Sequence, residues 1–107
     1  MLENSMKAKI ILETHPLLSD RTRLAIMAAL ITEKDALDFT YLCENLELSR
    51  GNLSSHIAKL ESAGLVEVHK KFKDKKTLTT YSCTENGKKA IKNYFENIHE
   101  LIAYKGK

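Results

Sequence analysis

The spacing of apolar residues along this chain changes several times, and each change marks an element. Residues 24–31, LAIMAALI, are apolar almost without interruption. A helix with no polar face is expected at the buried centre of a fold. Pro16 disfavours helix at His15, so a boundary belongs there. Ser19 predicts the N-cap of the central helix, DRTRLAIMAALITEK. Upstream, KAKIILE is long enough for one or two helical turns, and Ala36 to Phe39 reads as a brief extended segment. Thr40, or Asp38 before it, caps a short helix through YLCENLE, where Leu42 and Leu46 share an inner face. Ser49 is a second cap only a few residues on.

Counting 100° per residue from Ser49 puts Leu53, Ile57 and Leu60 on one face, which predicts core contact. Gly64, between Ala63 and Leu65, has the place of a left-handed residue just past a helix end. LVEVHKKF and TLTTYSC predict two strands, with Leu65, Val66 and Val68 facing Leu78 and Tyr81, and KDKK as the hairpin tip. Thr84 caps a last helix over 84–105. Its Ile91, Tyr94, Ile98, Leu101 and Lys105 fall on heptad a and d positions, and Phe95 and Ile102 widen the stripe. No internal repeat or linker interrupts the chain, so one domain over 1–107 is expected, mainly α with a small β-hairpin. Two short capped helices with a tight join form the helix-turn-helix pattern.

The second of these helices has an unusual outer face. Gly51, Ser55, Ala58 and Ser62 lie opposite the core positions, with Asn52 and Lys59 on one flank and Ser54 on the other. The face is small, polar and free of acid; Glu61 falls to the side, nearer the core edge. Arg50 sits in the first turn, where the helix dipole prefers an acid, which points to a task outside the helix. A helix lying in a DNA major groove needs such a face. Small residues permit close approach, and hydroxyls and amides hydrogen-bond base edges, Asn to adenine in a bidentate way. Free N–H groups at the helix start can take a phosphate. His56 borders the core face and either packs there or touches a phosphate. An ordinary solvated surface is the plainer explanation, but it leaves the preceding capped helix and the segment that follows unexplained.

That following segment holds the charge. The chain carries 17 Lys and Arg against 14 Asp and Glu, a net +3. From Val66 to Thr77 the five lysines Lys70, Lys71, Lys73, Lys75 and Lys76 face only Glu67 and Asp74, so the whole excess lies here. Lysines at a hairpin often serve only solubility or block edge pairing. Beside a groove-reading helix they would reach flanking phosphates or the minor groove and steepen the salt dependence of binding.

Other features narrow the field. A hydrophobic content of 43% suits one modest core. No apolar run approaches the roughly 20 residues of a membrane span. MLENSMKAK lacks a secretory apolar stretch, so a cytoplasmic location and no membrane partner are expected. Cys43 and Cys83 belong to no CxxC and are expected to be small buried apolar residues. No Gly-rich phosphate loop, HExxH or paired carboxylate is present, and SSHI is helical with nothing to orient a base. No enzyme activity and no cofactor are therefore expected.

SDRTRLAIMAAL, LDFTYLCENLELSRGNLSSHIAKLESAGLVEV and TTYSCTENGKKAI together resemble winged helix-turn-helix regulators of the MarR/ArsR type, over residues 17–92. The resemblance implies a recognition helix over 49–63 and a wing over 66–83. The expected DNA contacts are Ser49, Arg50, Gly51, Asn52, Ser54, Ser55, His56 and Lys59, with the five wing lysines. It also implies a homodimer on a pseudo-palindromic operator, joined through segment 1–15 and helix 84–105. Ile91, Tyr94, Phe95, Ile98, Leu101 and Ile102 are the expected dimer residues, although the stretch near Ala90 and Ile91 is also expected to pack on its own domain. Metal-sensing relatives of the ArsR type carry paired cysteines before the recognition helix. Here Cys43 is followed by Glu44 and Asn45, and His99 and Glu100 lack a second His, so no metal is expected. A cleft beside the terminal helices could hold a small-molecule effector, as in MarR relatives, but no residue demands one. The rival function is a protein-interaction adapter. An adapter would expose Leu, Phe or Tyr on the recognition face, and this face has none.

Overall fold

A computed structural model describes residues 7–103; residues 1–6, Tyr104 and Lys105 of the expected terminal elements lie outside the described residues. Two 3₁₀ turns, Lys9–Glu13 and Pro16–Ser19, precede α1 (Arg21–Thr32), β1 (Leu37–Asp38), α2 (Phe39–Leu46), α3 (Arg50–Ser62), β2 (Val66–Lys73), β3 (Lys76–Cys83) and α4 (Glu85–Ala103). α1 is the hub, touching α2, α3, α4 and β3. Its Ile26 and Met27 are fully buried, and Leu18, Leu42, Leu53, Leu60, Leu65, Val66, Tyr81 and Ile91 close around it. Truncating a fully buried side chain such as Leu53 to Ala costs about 2–5 kcal/mol.

Each helix start has a side-chain cap. Asp20, not Ser19, caps α1: its Oδ1 accepts the Arg23 N–H at 3.0 Å. Ser19 is committed to the preceding 3₁₀ turn, where its hydroxyl donates to the Pro16 carbonyl at 2.8 Å. Asp38 caps α2 by accepting the Tyr41 N–H at 2.7 Å, and Ser49 caps α3 by accepting the Asn52 N–H at 3.1 Å. Between α2 and α3 the chain turns at Glu47, which is left-handed at φ 54° and ψ 48°. At the far end of α3, Gly64 has φ +76°. Its N–H returns to Glu61 and the Leu65 N–H returns to Leu60, the paired bonds of a Schellman motif.

The sheet is antiparallel with strand order β1-β3-β2. The brief extended segment at Leu37 becomes a third strand by pairing with Tyr81, which pairs with Val68 on its other side. The hairpin runs one residue further on each strand than the sequence pattern suggests. Lys73 pairs with Lys76, and the tip is Asp74–Lys75, with φ 51° and 62°. Positive φ at both central residues is the requirement of a two-residue turn that matches strand twist. Leu78 departs from the expected inward set: it pairs with Lys71 and is exposed. It stands three residues from Tyr81, and an odd separation puts two strand residues on opposite faces.

Thr84 joins α4 to the end of α3, accepting the Gly87 N–H at 2.9 Å and donating to the Gly64 carbonyl at 2.6 Å. Ile91 is only 4% exposed, so it belongs to the protomer's own core and has no surface to give a dimer. The N-terminal segment lies along the later turns of α4: Lys7 pairs with Glu100 at 2.6 Å, and the buried Asn97 amide donates to the Ile10 carbonyl at 3.4 Å. Among the described residues no helix is long and apolar enough to cross a membrane.

Candidate nucleic-acid interface

Leu53, Ile57 and Leu60 pin α3 to the core, which fixes what it shows outward. Gly51, Asn52, Ser54, Ser55, Ala58, Lys59 and Ser62 are all exposed, and none is acidic. The side chains of Asn52, Ser54 and Ser55 make no hydrogen bond within the described residues, so their donors and acceptors are unspent. A methyl group on Gly51 would meet nothing within 4 Å, so the fold itself does not require a glycine there. Ser49, by contrast, uses its hydroxyl oxygen as the cap.

Two expected contact residues have partners inside the fold. The Arg50 guanidinium lies 4.7 Å from the centroid of the Phe39 ring, which tilts against Tyr81 at 6.2 Å. This cation–π contact accounts for a basic residue at the start of a helix. Arg50 also lines a cleft with Thr40, Thr77 and Thr79, where α2 meets the hairpin. His56 is half-buried, with Nδ1 3.2 Å from Arg23 Nη1. A guanidinium only donates, so Nδ1 accepts and a neutral His56 carries its proton on Nε2. Arg23 is itself anchored by Nε donating to the Leu17 carbonyl at 2.9 Å. Glu61 is exposed on the hairpin side of α3, in a cleft with Ser54, Lys70 and Thr79. Burial, and then the Glu61 carboxylate, push the Tyr81 hydroxyl above its ordinary pKa.

Lys70, Lys71, Lys73, Lys75 and Lys76 are all exposed, and none forms an ion pair among the described residues. The strand register sorts them. Lys70 and its neighbour Thr79 share the hairpin face that meets α3, whereas Lys71, Lys73 and Lys76 share the opposite face. The α3-side face continues outward through the Phe72–Thr77 pair, and Phe72 is 77% exposed. Sequence reasoning did not single out Phe72, Thr77 and Thr79, which lie on this same face. The signal was there in the period-two count outward from Val68 and Tyr81.

Away from this surface, Cys43 and Cys83 are free thiols packed against the core, and burial pushes the Cys83 thiol above its ordinary pKa. On α4, Phe95 is half-exposed and meets Tyr94 edge-on at 5.4 Å, while Ile102 is 78% exposed. Ile98 and Leu101 are half-buried.

Comparison with known proteins gives the same architecture. An uncharacterized protein of Methanocaldococcus jannaschii is 38% identical over 73 residues, covering 68% of this chain and 79% of that one. A transcriptional regulator homologue from Pyrococcus horikoshii superposes with a TM-score of 0.80 at 31% identity, over 91% of this chain and 94% of that one. The fold likeness extends to a zinc-responsive MarR family member of Lactococcus lactis, ZitR. Its TM-score is 0.58 at 18% identity, over 77% of this chain and 55% of that one. The winged helix DNA-binding domain family matches residues 22–102, which span α1 to α4, and the chain belongs to that family.

Proposed function

We propose that the protein is a sequence-specific transcriptional regulator that binds double-stranded DNA as a homodimer. α3 lies in the major groove, and the wing, β2 and β3, lies on flanking phosphates or in the minor groove. One observation carries this reading: an acid-free helix face with unspent hydrogen-bonding groups is followed directly by a wing whose five exposed lysines, spread over both of its faces and its tip, form no ion pair among the described residues. In a groove, Asn52 can pair with adenine in a bidentate way and Ser55 can reach a neighbouring base edge. Gly51 lets the backbone come close, and Lys59 and the wing lysines meet phosphates. His56, held by Arg23, offers an Nε2–H to a phosphate when neutral. Phe95 and Ile102, exposed on α4, support a homodimer in which a second copy covers them.

Fluorescence anisotropy tests the reading. A duplex from upstream of the protein's own gene is titrated at several salt concentrations beside a scrambled duplex. Tight binding that favours the upstream duplex and falls steeply with salt is expected. Equal, weak binding to both would remove sequence specificity. No binding at low salt would replace the regulator with a protein-interaction adapter.

A further inference from the structure

The Phe72 side chain lies outside the hydrophobic core. It is the wing's one phenylalanine, it is 77% exposed, and Lys71 and Lys73 flank it in sequence. It pairs with Thr77 on the same hairpin face as Lys70 and Thr79, the face that meets α3. An exposed aromatic on a two-stranded ribbon invites association. A second copy of the wing is a poor partner, because it would set five more lysines against these five. A polyanion with apolar walls meets both needs: its phosphates take the lysines, and its sugars and base edges take the ring.

Size decides where the ring goes. The minor groove is about 6 Å wide. Paired strands are about 4.8 Å apart, so only the hairpin tip enters, and Phe72 lies about 7 Å back along its strand. We propose that Phe72 is a DNA-contacting residue whose ring packs on the deoxyribose wall of the minor groove beside the α3 site. There it adds affinity that does not depend on salt. This inference rests on the DNA-binding reading above. An anionic lipid surface also attracts lysines and an aromatic ring, but a membrane would meet the tip of the wing. The ring instead lies on the face that continues towards α3.

The chain has no tryptophan, so Phe72→Trp creates a single reporter at the site. Its emission is expected to change on saturation with the upstream duplex and to stay constant with phosphatidylserine vesicles. Phe72→Ala is expected to bind roughly tenfold more weakly at every salt concentration, with the slope of log affinity against log salt unchanged. Circular dichroism and thermal melting check that this exposed position leaves the fold intact. Unchanged affinity in Phe72→Ala, a silent tryptophan on a saturated duplex, or a response to vesicles in place of DNA each overturns the assignment. If the parent protein binds no duplex at low salt, the DNA-binding reading itself fails and takes this inference with it. If the parent binds and only the tryptophan is silent, Phe72 alone is misplaced.

Discussion

Two glycines stand at the two ends of α3 for opposite reasons. Gly64 has φ +76°, a conformation in which any L side chain is strained, and it closes the Schellman motif. Gly51 is in the first turn with open space around it, so the fold gains nothing from its lack of a side chain. Gly64→Ala should lower stability by about 1–2 kcal/mol while the folded protein keeps its duplex affinity. Gly51→Ala should raise stability by about 0.5 kcal/mol and still weaken duplex binding. Urea titration and anisotropy on the two variants separate these effects, and intact affinity in Gly51→Ala would remove the close backbone approach. Asp20 adds a pH dependence. The Arg23 N–H that it caps holds its carboxyl below the usual value, with help from the Arg23 guanidinium charge. A depressed carboxylate stabilises the fold fully above its unfolded pKa, and the contribution is lost as pH falls through the folded value. Asp20→Asn keeps an acceptor but cannot titrate. Its urea midpoint should therefore fall less steeply than the parent's between about pH 5 and pH 2.

At the scale of elements, the proposed function assigns specificity to the helix and affinity to the wing. Asn52→Ala and Ser55→Ala should reduce preference for the operator over a scrambled duplex, by about 1–3 kcal/mol where a bidentate base contact is lost. Lys73→Ala and Lys75→Ala should weaken all duplexes alike and lower the salt slope by about one each. Hairpin variants with unchanged affinity and slope would take the wing off the DNA. The elements themselves were legible because their signals are local. α1 is apolar all round, Ser49 caps α3, and Gly64 ends it within a few residues of the side chains they act on. What escaped depends on distance or on neighbouring choices. Ser19 and Asp20 are adjacent good caps, and the 3₁₀ turn that commits Ser19 is a three-dimensional fact. Arg50 looked misplaced until the fold brought the Phe39 ring beneath it, and Arg23 reaches His56 across 33 residues. Leu78 was misread from its hydrophobicity when its parity with Tyr81 already turned it outward. The same parity count would have drawn attention to Phe72.

The whole molecule is long for its size. Its radius of gyration is 16.6 Å and its extents are 63 × 25 × 21 Å. A compact domain of about 100 residues has a radius near 13 Å. The wing extends beyond the core, and so does α4, whose 19 residues run about 28 Å. Ile91 is its last apolar residue in the buried core, and the later turns rest on the N-terminal segment through Asn97 and Glu100. That support leaves Phe95, Ile102 and, on the N-terminal segment, Leu12 exposed. A second copy that covered them would also set the spacing of two α3 helices on DNA, where half-sites one turn apart lie about 34 Å from each other. Phe95→Glu with Ile102→Glu places charge on that surface without touching the core. Sedimentation equilibrium should find the parent dimeric and the double variant monomeric, with unchanged circular dichroism. The variant should bind a single half-site as the parent does, but lose about 100-fold on a duplex with two half-sites, because the second contact is no longer tethered to the first. A variant that stays dimeric would move the dimer contact off this face of α4. A parent that is monomeric at micromolar concentration would leave each α3 to read its half-site alone.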